Sequence, residues 1–326
     1  MSKVKISVLM CLYNAEDFVE QAINSIIDQS FNEWELLIGD DCSTDRSLEI
    51  AEHFASKDDR IKIFKNDKNL GYLLNTNSLW HKAQGNYITF QDADDWSDKN
   101  RLTLQYNFIR EKQIDICSSN FMRVNLKGIK TSVGSIEARE KLTYSDLYSE
   151  FARHRKLPVF TGSLFLNKKV SDEVGMYKSF FSRKCGEDAD WILRASRSFK
   201  VGTLPEILYF YRENPRGVTQ NISIDSLVNN DLIFNIHEKY INYGIDLLED
   251  DYANDLIQIE TRLKRKYVKD ISSVYYEKVK NGIYHQLWLF SLKNILLAIK
   301  AKPFRSIYYR TLFFILKSSL KVKSNR

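Results

Sequence analysis

Hydrophobic residues run almost unbroken through residues 4–12, VKISVLMCL. That is the pattern of a strand covered on both faces, as in a parallel sheet. NAED follows and offers a helix start, after which Phe18, Val19, Ala22, Ile23, Ile26 and Ile27 recur at helical spacing. The alternation then repeats. WELLIGD (34–40) predicts a second strand, and DCSTDRSLEIAEHFA (41–55) predicts a helix capped by Ser43, Thr44 or Asp45. RIKIFKND (60–67) predicts a third strand, NSLWHKAQ (77–84) lies in a helix that ends near Gly85, and YITF (87–90) predicts a fourth strand. Such alternation predicts an α/β fold with a mostly parallel sheet flanked by helices. Ligands of these sheets bind beyond the carboxyl ends of the strands. Polar clusters fall at those ends: Tyr13-Asn14, Asp40-Asp41, Asn69-Leu70-Gly71, and the trio Asp92, Asp94 and Asp95.

Further along, residues 101–115 predict a helix and 114–125 another strand. The pattern weakens over 126–160. Residues 160–177 suggest a strand, a turn and a short helix, 185–199 a loop entering a helix, and 201–212 a strand pair. After Asp225 the spacing is helical to the end. The expected organisation is an α/β domain over 1–220 and a helical C-terminal extension over 221–326.

Composition narrows the class. In 326 residues the hydrophobic share is 44%, with 18 Tyr and 19 Phe, which supports a substantial core and argues against disorder. Cys11, Cys42, Cys117 and Cys185 lie far apart without a C-x-x-C pair, so neither a zinc site nor a disulfide framework is expected, and a reducing cytosol fits. MSKVKISVLMCLYN enters the first strand without a cleavage site, so no signal peptide is expected. The net charge of +6 divides unevenly. Residues 1–260 hold 32 Lys+Arg and 40 Asp+Glu, a balance of −8, whereas 261–326 hold 16 and 2, a balance of +14.

The aspartate trio allows two readings, a solvated acidic turn or a site whose negative charge a hard divalent cation neutralises. No Gly-x-Gly-x-x-Gly follows the first strand and no Walker-type loop occurs, which argues against a dinucleotide dehydrogenase and a P-loop nucleotidase. Tyr13 fits a ring stacked on a base or a packed core edge. Asp41 fits a nucleotide contact or a turn cap. GEDADW (186–191) places Glu187, Asp188 and Asp190 at a helix start, where a carboxylate serves as a cap or a general base. Arg183 and Lys184 nearby suit an anion. Arg212 and Arg216 suit a leaving diphosphate, or simply a solvated surface.

These residues, in this order, resemble the family 2 glycosyltransferases of the GT-A (Rossmann-like) fold, of the bacterial surface-polysaccharide type. ISVLMCLYNAEDFVEQAINSIIDQSFNEWELLIGDDCSTDRSLEIAEHF, NLGYLLNTNSLWHKAQGNYITFQDADDW, GEDADWILRAS and PEILYFYRENPRGVTQ carry the likeness over roughly residues 3–220. The resemblance implies that Tyr13 and Asp41 contact the base of a nucleotide sugar, usually uracil. It implies that Asp92, Asp94 and Asp95 hold Mn²⁺ or Mg²⁺ on the diphosphate, that Asp188 is the catalytic base, and that Arg212 lies in a loop closing over the donor. Glu187 and Trp191, on either side of Asp188, are expected to meet the acceptor. Two positions depart from the family pattern: Leu74 stands where many relatives have arginine, and Asn214 where histidine is common. The implied reaction is an inverting transfer from a nucleoside-diphosphate donor to a polysaccharide or lipid-linked glycan hydroxyl. The rival classes are a nucleotidyltransferase, which would consume a nucleoside triphosphate, and a non-catalytic glycan- or membrane-binding protein, which would tolerate loss of Asp94 or Asp188.

Residues 284–326 mix apolar and cationic side chains in runs too short to span a bilayer. They suit a helix lying on an anionic membrane surface, or a helical cap with a solvated basic face. Nucleic acid is not expected as a partner, since no reading motif accompanies the charge. The expected location is the cytoplasm, with the membrane reading placing the chain at the cytoplasmic face of the inner membrane.

Overall fold

The computed structural model describes residues 4–134, 136–214, 223–284 and 287–324. They belong to two compact units, Met1–Pro215 and Arg216–Arg326.

The first unit opens with β1 (Ile6–Leu12), α1 (Val19–Ile27), β2 (Trp34–Asp40), α2 (Ser47–Ala55), β3 (Ile61–Lys65), α3 (Tyr72–Lys82) and β4 (Tyr87–Phe90). It continues with β5 (Trp96–Ser97), α4 (Arg101–Lys112), β6 (Ile116–Val124), β7 (Lys130–Gly134), β8 (Arg139–Leu142) and α5 (Tyr144–His154). Then come β9 (Phe165–Asn167), α6 (Lys168–Val174), α7 (Glu187–Ser196) and β10 (Val201–Arg212). The sheet order is β3-β2-β1-β4-β9-β6-β10-β5, with β7 on β6 and β8 on β10. Strands β3, β2, β1 and β4 are parallel, as the alternation predicts. Antiparallel β9 joins β4 to β6, and β10 runs parallel to β6, so the whole sheet is mixed.

Burial explains the regularity of the first half. Alternate β1 residues Ile6, Val8, Met10 and Leu12 share a core with Val19, Ala22, Ile23 and Ile26 of α1. Those helix positions are i, i+3, i+4 and i+7, the apolar stripe of a helix packed on a sheet.

Elsewhere the structure departs from the sequence expectation. Residues 201–212 form one strand, not a pair. Its ladder with β6 shifts between Leu204 and Ile207, around Pro205, which has no N–H to give. Residues 126–160, where the hydrophobic pattern fades, hold β7, β8 and α5. Four of the five β7 residues are exposed, so no apolar alternation marks it. A reciprocal Thr143–Asp146 capping box starts α5.

Gly85 closes the turn between α3 and β4 against β1. A Cβ there would lie 2.7 Å from the Ser7 nitrogen and 2.9 Å from the Ile6 carbonyl carbon, both backbone atoms of a buried strand. Its N–H donates to Ser7 Oγ at 2.9 Å, and that hydroxyl donates to the buried Glu35 carboxylate at 2.7 Å. Gly85→Ala is expected to destabilise the fold by about 1–3 kcal/mol, as overpacking does. Urea unfolding reads this as a lower midpoint at unchanged slope.

The second unit is helical: α8 (Ile224–Tyr243), α9 (Ala253–Lys269), α10 (Ile271–Tyr284), α11 (Trp288–Ala301) and α12 (Ser306–Ser324). Val279, Ile295, Ala298, Tyr308 and Ile315 form a core shared by the last three helices. Asp270 accepts from Ser272 Oγ at 2.6 Å and Ser273 Oγ at 2.7 Å, and pairs with Lys302 and Arg305. Among the described residues, no helix is long and apolar enough to cross a membrane.

Candidate active site

The parallel register carries the polar clusters to one edge. β1 and β2 pair from Ile6↔Trp34 to Leu12↔Asp40, so Tyr13 and Asp41 leave the sheet side by side. Asn14 and Cys42 take left-handed conformations, with φ of 48° and 64°. Asn14 Oδ1 accepts the Thr44 N–H at 2.8 Å, latching the two loops together. Tyr13 stands half-exposed on this rim.

Asp41 is buried and occupied. Its Oδ1 accepts from Asn66 Nδ2 at 2.9 Å and Leu70 N at 2.7 Å, and its Oδ2 accepts from Gly71 N at 2.8 Å. These bonds fix the loop before α3, where Gly71 has φ of 83°, a conformation glycine adopts freely. Asp41 therefore shapes this edge of the sheet through the backbone it holds.

The aspartate trio lies on the turn from β4 to β5. Asp92 N donates to Tyr209 Oη at 3.1 Å, and that hydroxyl lies 3.4 Å from Asp92 Oδ2. Asp95 Oδ1 accepts Arg212 N at 2.6 Å, while its buried Oδ2 finds no hydrogen-bond partner among the described residues. Asp94 is half-buried and meets Asn214 Nδ2 at 3.4 Å. Burial, and then the charge of Asp94, push Asp92 up to about 7, against the Tyr209 hydrogen bond and the nearby Arg101 charge. Burial, then Asp92 and Asp94, raise Asp95 well above the usual carboxylate range. The turn thus crowds three carboxylates together, and burial and mutual repulsion favour protons on Asp92 and Asp95 against the charges of Arg101 and Arg212.

Asp188 lies in the first turn of α7. Thr161 Oγ1 donates to Asp188 Oδ2 at 2.6 Å, and Ala189 N donates to Oδ1 at 2.7 Å. Glu187 beside it is mostly buried, and among the described residues its Oε2 has no hydrogen-bond partner. Burial, then the Asp188 charge, push Glu187 up to about 8. Asp190 turns inward to a buried ion pair with Arg194 at 2.8 Å and is structural.

Two expected contacts are corrected. Trp191 is fully buried: its Nε1 donates to the Gly175 carbonyl at 2.8 Å and its ring packs 5.4 Å from that of Trp80, so it presents no face to an acceptor. Arg212 is the buried last residue of β10, not part of an open loop. Its Nε donates to the Asp94 carbonyl at 2.7 Å, Nη1 to the Leu126 carbonyl at 2.8 Å and Nη2 to Gln21 Oε1 at 2.7 Å, with Phe18 and Trp96 packed on the guanidinium. It braces the aspartate turn. Arg183 Nη2 is spent on the Asn69 carbonyl at 2.7 Å, and Lys184 lies over the Phe180 ring. Arg216 falls outside the described residues.

Sequence reasoning missed three contributors. Tyr209 hid inside an apolar strand, and Thr161 in an unremarkable loop. Arg101 is fully buried beneath the turn, donating to the Phe90 carbonyl at 3.0 Å, and burial lowers it to about 10. No sequence pattern separates it from an ordinary helix-start arginine.

Residues 7–179, more than half of the chain, match the family model described as glycosyl transferase family 2. The chain belongs to glycosyl transferase family 2. The family 2 match takes in the aspartate turn and stops short of α7. TuaG of Bacillus subtilis (strain 168), named for teichuronic acid biosynthesis, is 34% identical over 144 residues, 44% of this chain and 57% of that protein. WfgD of Escherichia coli, named UDP-Glc:alpha-D-GlcNAc-diphosphoundecaprenol beta-1,3-glucosyltransferase, is 32% identical over 147 residues, 45% and 56% of the two chains. This chain thus spans a little over half the length of these relatives. The structure of S. aureus TarS 1–349 in complex with UDP-GlcNAc shares the fold, with a TM-score of 0.60 over 91% of this chain and 81% of that chain at 19% identity.

A divalent ion is a common companion of family 2 folds. Among the described residues, no three Asp, Glu, His or Cys side chains converge into a ready cage. The turn fits a different mode. Magnesium-type ions take one or two carboxylates and complete their shell with water and substrate phosphate. Asp94, loosely held, suits that mode, and a cation there would relieve the repulsion that raises Asp92 and Asp95.

Proposed function

We propose that this family 2 chain is an inverting glycosyltransferase. It moves a sugar from a nucleoside-diphosphate donor, a UDP-sugar, to a hydroxyl of a polysaccharide or lipid-linked glycan, with Mn²⁺ or Mg²⁺ held at Asp94 with Asp92 and Asp95. The transfer chemistry is assigned to residues 1–220. One observation carries the reading: a carboxylate held by the Thr161 hydroxyl and the Ala189 N–H at the start of α7 accompanies an acidic turn at the carboxyl end of β4. The donor assignment is supported in kind by the name of WfgD and by the UDP-GlcNAc bound to TarS.

Each group then has a task. Tyr13, exposed on the rim, offers its ring to the base. A cation held at Asp94 would supply positive charge to the departing diphosphate. Asp188 accepts the proton of the acceptor hydroxyl as its oxygen attacks the anomeric carbon. The new C–O bond forms as the C–O bond to phosphate breaks, and the electron pair leaves with the nucleoside diphosphate. A base on the face opposite the leaving group makes this a single inverting displacement.

Nucleoside diphosphate release from a panel of UDP-sugars, with a glycan acceptor, tests the reading. EDTA is expected to reduce release to near background and Mn²⁺ to restore it. Full release in EDTA would remove the metal from the reading. Consumption of a nucleoside triphosphate with pyrophosphate release would move the chain to the nucleotidyltransferase class.

A further inference from the structure

The helices α11 and α12 are amphipathic in an unusual way. Their inner faces supply Ile295, Ala298, Tyr308 and Ile315 to the core. Their outer faces are neither fully polar nor fully apolar. On α11, Leu289, Lys293, Leu296 and Lys300 share one exposed stripe at i, i+4, i+7 and i+11, and Leu289 is 85% exposed. On α12, Tyr309, Phe313 and Leu316 fall at i, i+4 and i+7 on an exposed ridge, with Arg310 and Lys317 one step round the helix. Phe304, in the turn between the helices, is 99% exposed.

The cations on this face have no acids to meet within their own unit's last helices. Residues 261–326 contain only Asp270 and Glu277 as acids. Asp270 is taken by Lys302 and Arg305, and Glu277 by Lys280. Among the described residues, Lys293, Lys300, Arg310 and Lys317 enter no ion pair. Exposed aromatics interleaved with unpaired cations match the headgroup layer of a bilayer, where rings enter the apolar boundary and cations meet lipid phosphates. A second copy is a poor occupant, because pairing this face with itself would bring together two segments of net charge +14.

We propose that the outer face of α11 and α12 docks on an anionic lipid surface, with Phe304, Tyr309 and Phe313 in the headgroup layer and Lys293, Lys300, Arg310 and Lys317 on lipid phosphates. This docking needs neither donor nor acceptor, so it stands or falls apart from the transfer reaction.

Flotation of the full chain with vesicles tests it. The chain is expected to float with mixed phosphatidylglycerol–phosphatidylcholine vesicles, to stay behind with phosphatidylcholine alone, and to lose binding in high salt. The variant F304D/F313D is expected to bind about tenfold less, since each ring gives up apolar burial in the headgroup layer. Both side chains are exposed, so circular dichroism and unfolding midpoint should match wild type. K300E/R310E/K317E should show a comparable loss by removing the charge alone. No flotation of wild type with anionic vesicles overturns the proposal, as does equal flotation with neutral ones. Wild-type binding by both variants overturns it too. A dimer that F304D/F313D dissociates, without flotation, would make the face a self-interface instead.

Discussion

Replacing Asp188 with asparagine is expected to lower kcat roughly 100- to 10,000-fold while leaving the donor KM near its wild-type value, the signature of a lost proton acceptor. The substitution is close to isosteric. Its carbonyl oxygen can keep the Ala189 N–H bond, and the Thr161 hydroxyl can rotate to accept from the new amide. Geometry therefore survives and basicity does not. Donor KM and kcat from nucleoside diphosphate release separate the two. A variant that turns over at the wild-type rate would remove Asp188 as the base and leave its Thr161 bond as a helix-start contact only.

The second large effect is expected at Asp94. Asp94→Ala should lower kcat roughly 100- to 1,000-fold, because a bound cation supplies several kcal/mol of charge stabilisation and each ~1.4 kcal/mol is a decade in rate. It should also raise the Mn²⁺ concentration needed for half-maximal rate. Stability should hardly change, since the Asp94 side chain makes one long bond to Asn214 and is half-buried. Asp95 is the contrast. Its carboxylate receives the Arg212 N–H from inside the fold, so its removal confounds activity with structure. A Mn²⁺ titration settles the assignment: an Asp94→Ala profile that overlays wild type would take this residue out of the metal site.

How much of this was legible in the sequence depends on range. β1, β2 and β4 are legible because burial writes itself as nearly continuous apolar runs, the edge strand β3 through the alternation it completes, and α1 because one-sided burial writes itself at i, i+3, i+4 and i+7. The aspartate trio is legible because three like charges behind a strand are costly without a function. What those charges lean on is not legible. Tyr209 and Arg212 reach the turn from more than a hundred residues away, and strand pairing of that separation leaves no local trace. The same gap explains the two corrected contacts. A motif places Arg212 and Trp191 near the pocket, but only the fold shows that their donors are spent inward on carbonyls. The three-residue β9 is too short for its periodicity to reveal that it runs antiparallel between two parallel sets.

The position of β10 in the chain has a consequence for biosynthesis. Domains generally fold as units during synthesis, the N-terminal one first. The parallel strands β3-β2-β1-β4 have all their residues once position 90 has emerged, but the sheet they belong to is completed only by β10. The acidic turn is spoken before its supports: Tyr209 and Arg212 emerge more than a hundred residues later. Until then Asp92 and Asp95 lack the partners that give them their places, and a nascent chain carries the carboxylates without the constellation. Assembly of the pocket is thus timed by the last strand to be translated, which keeps a half-made sheet from presenting a finished site.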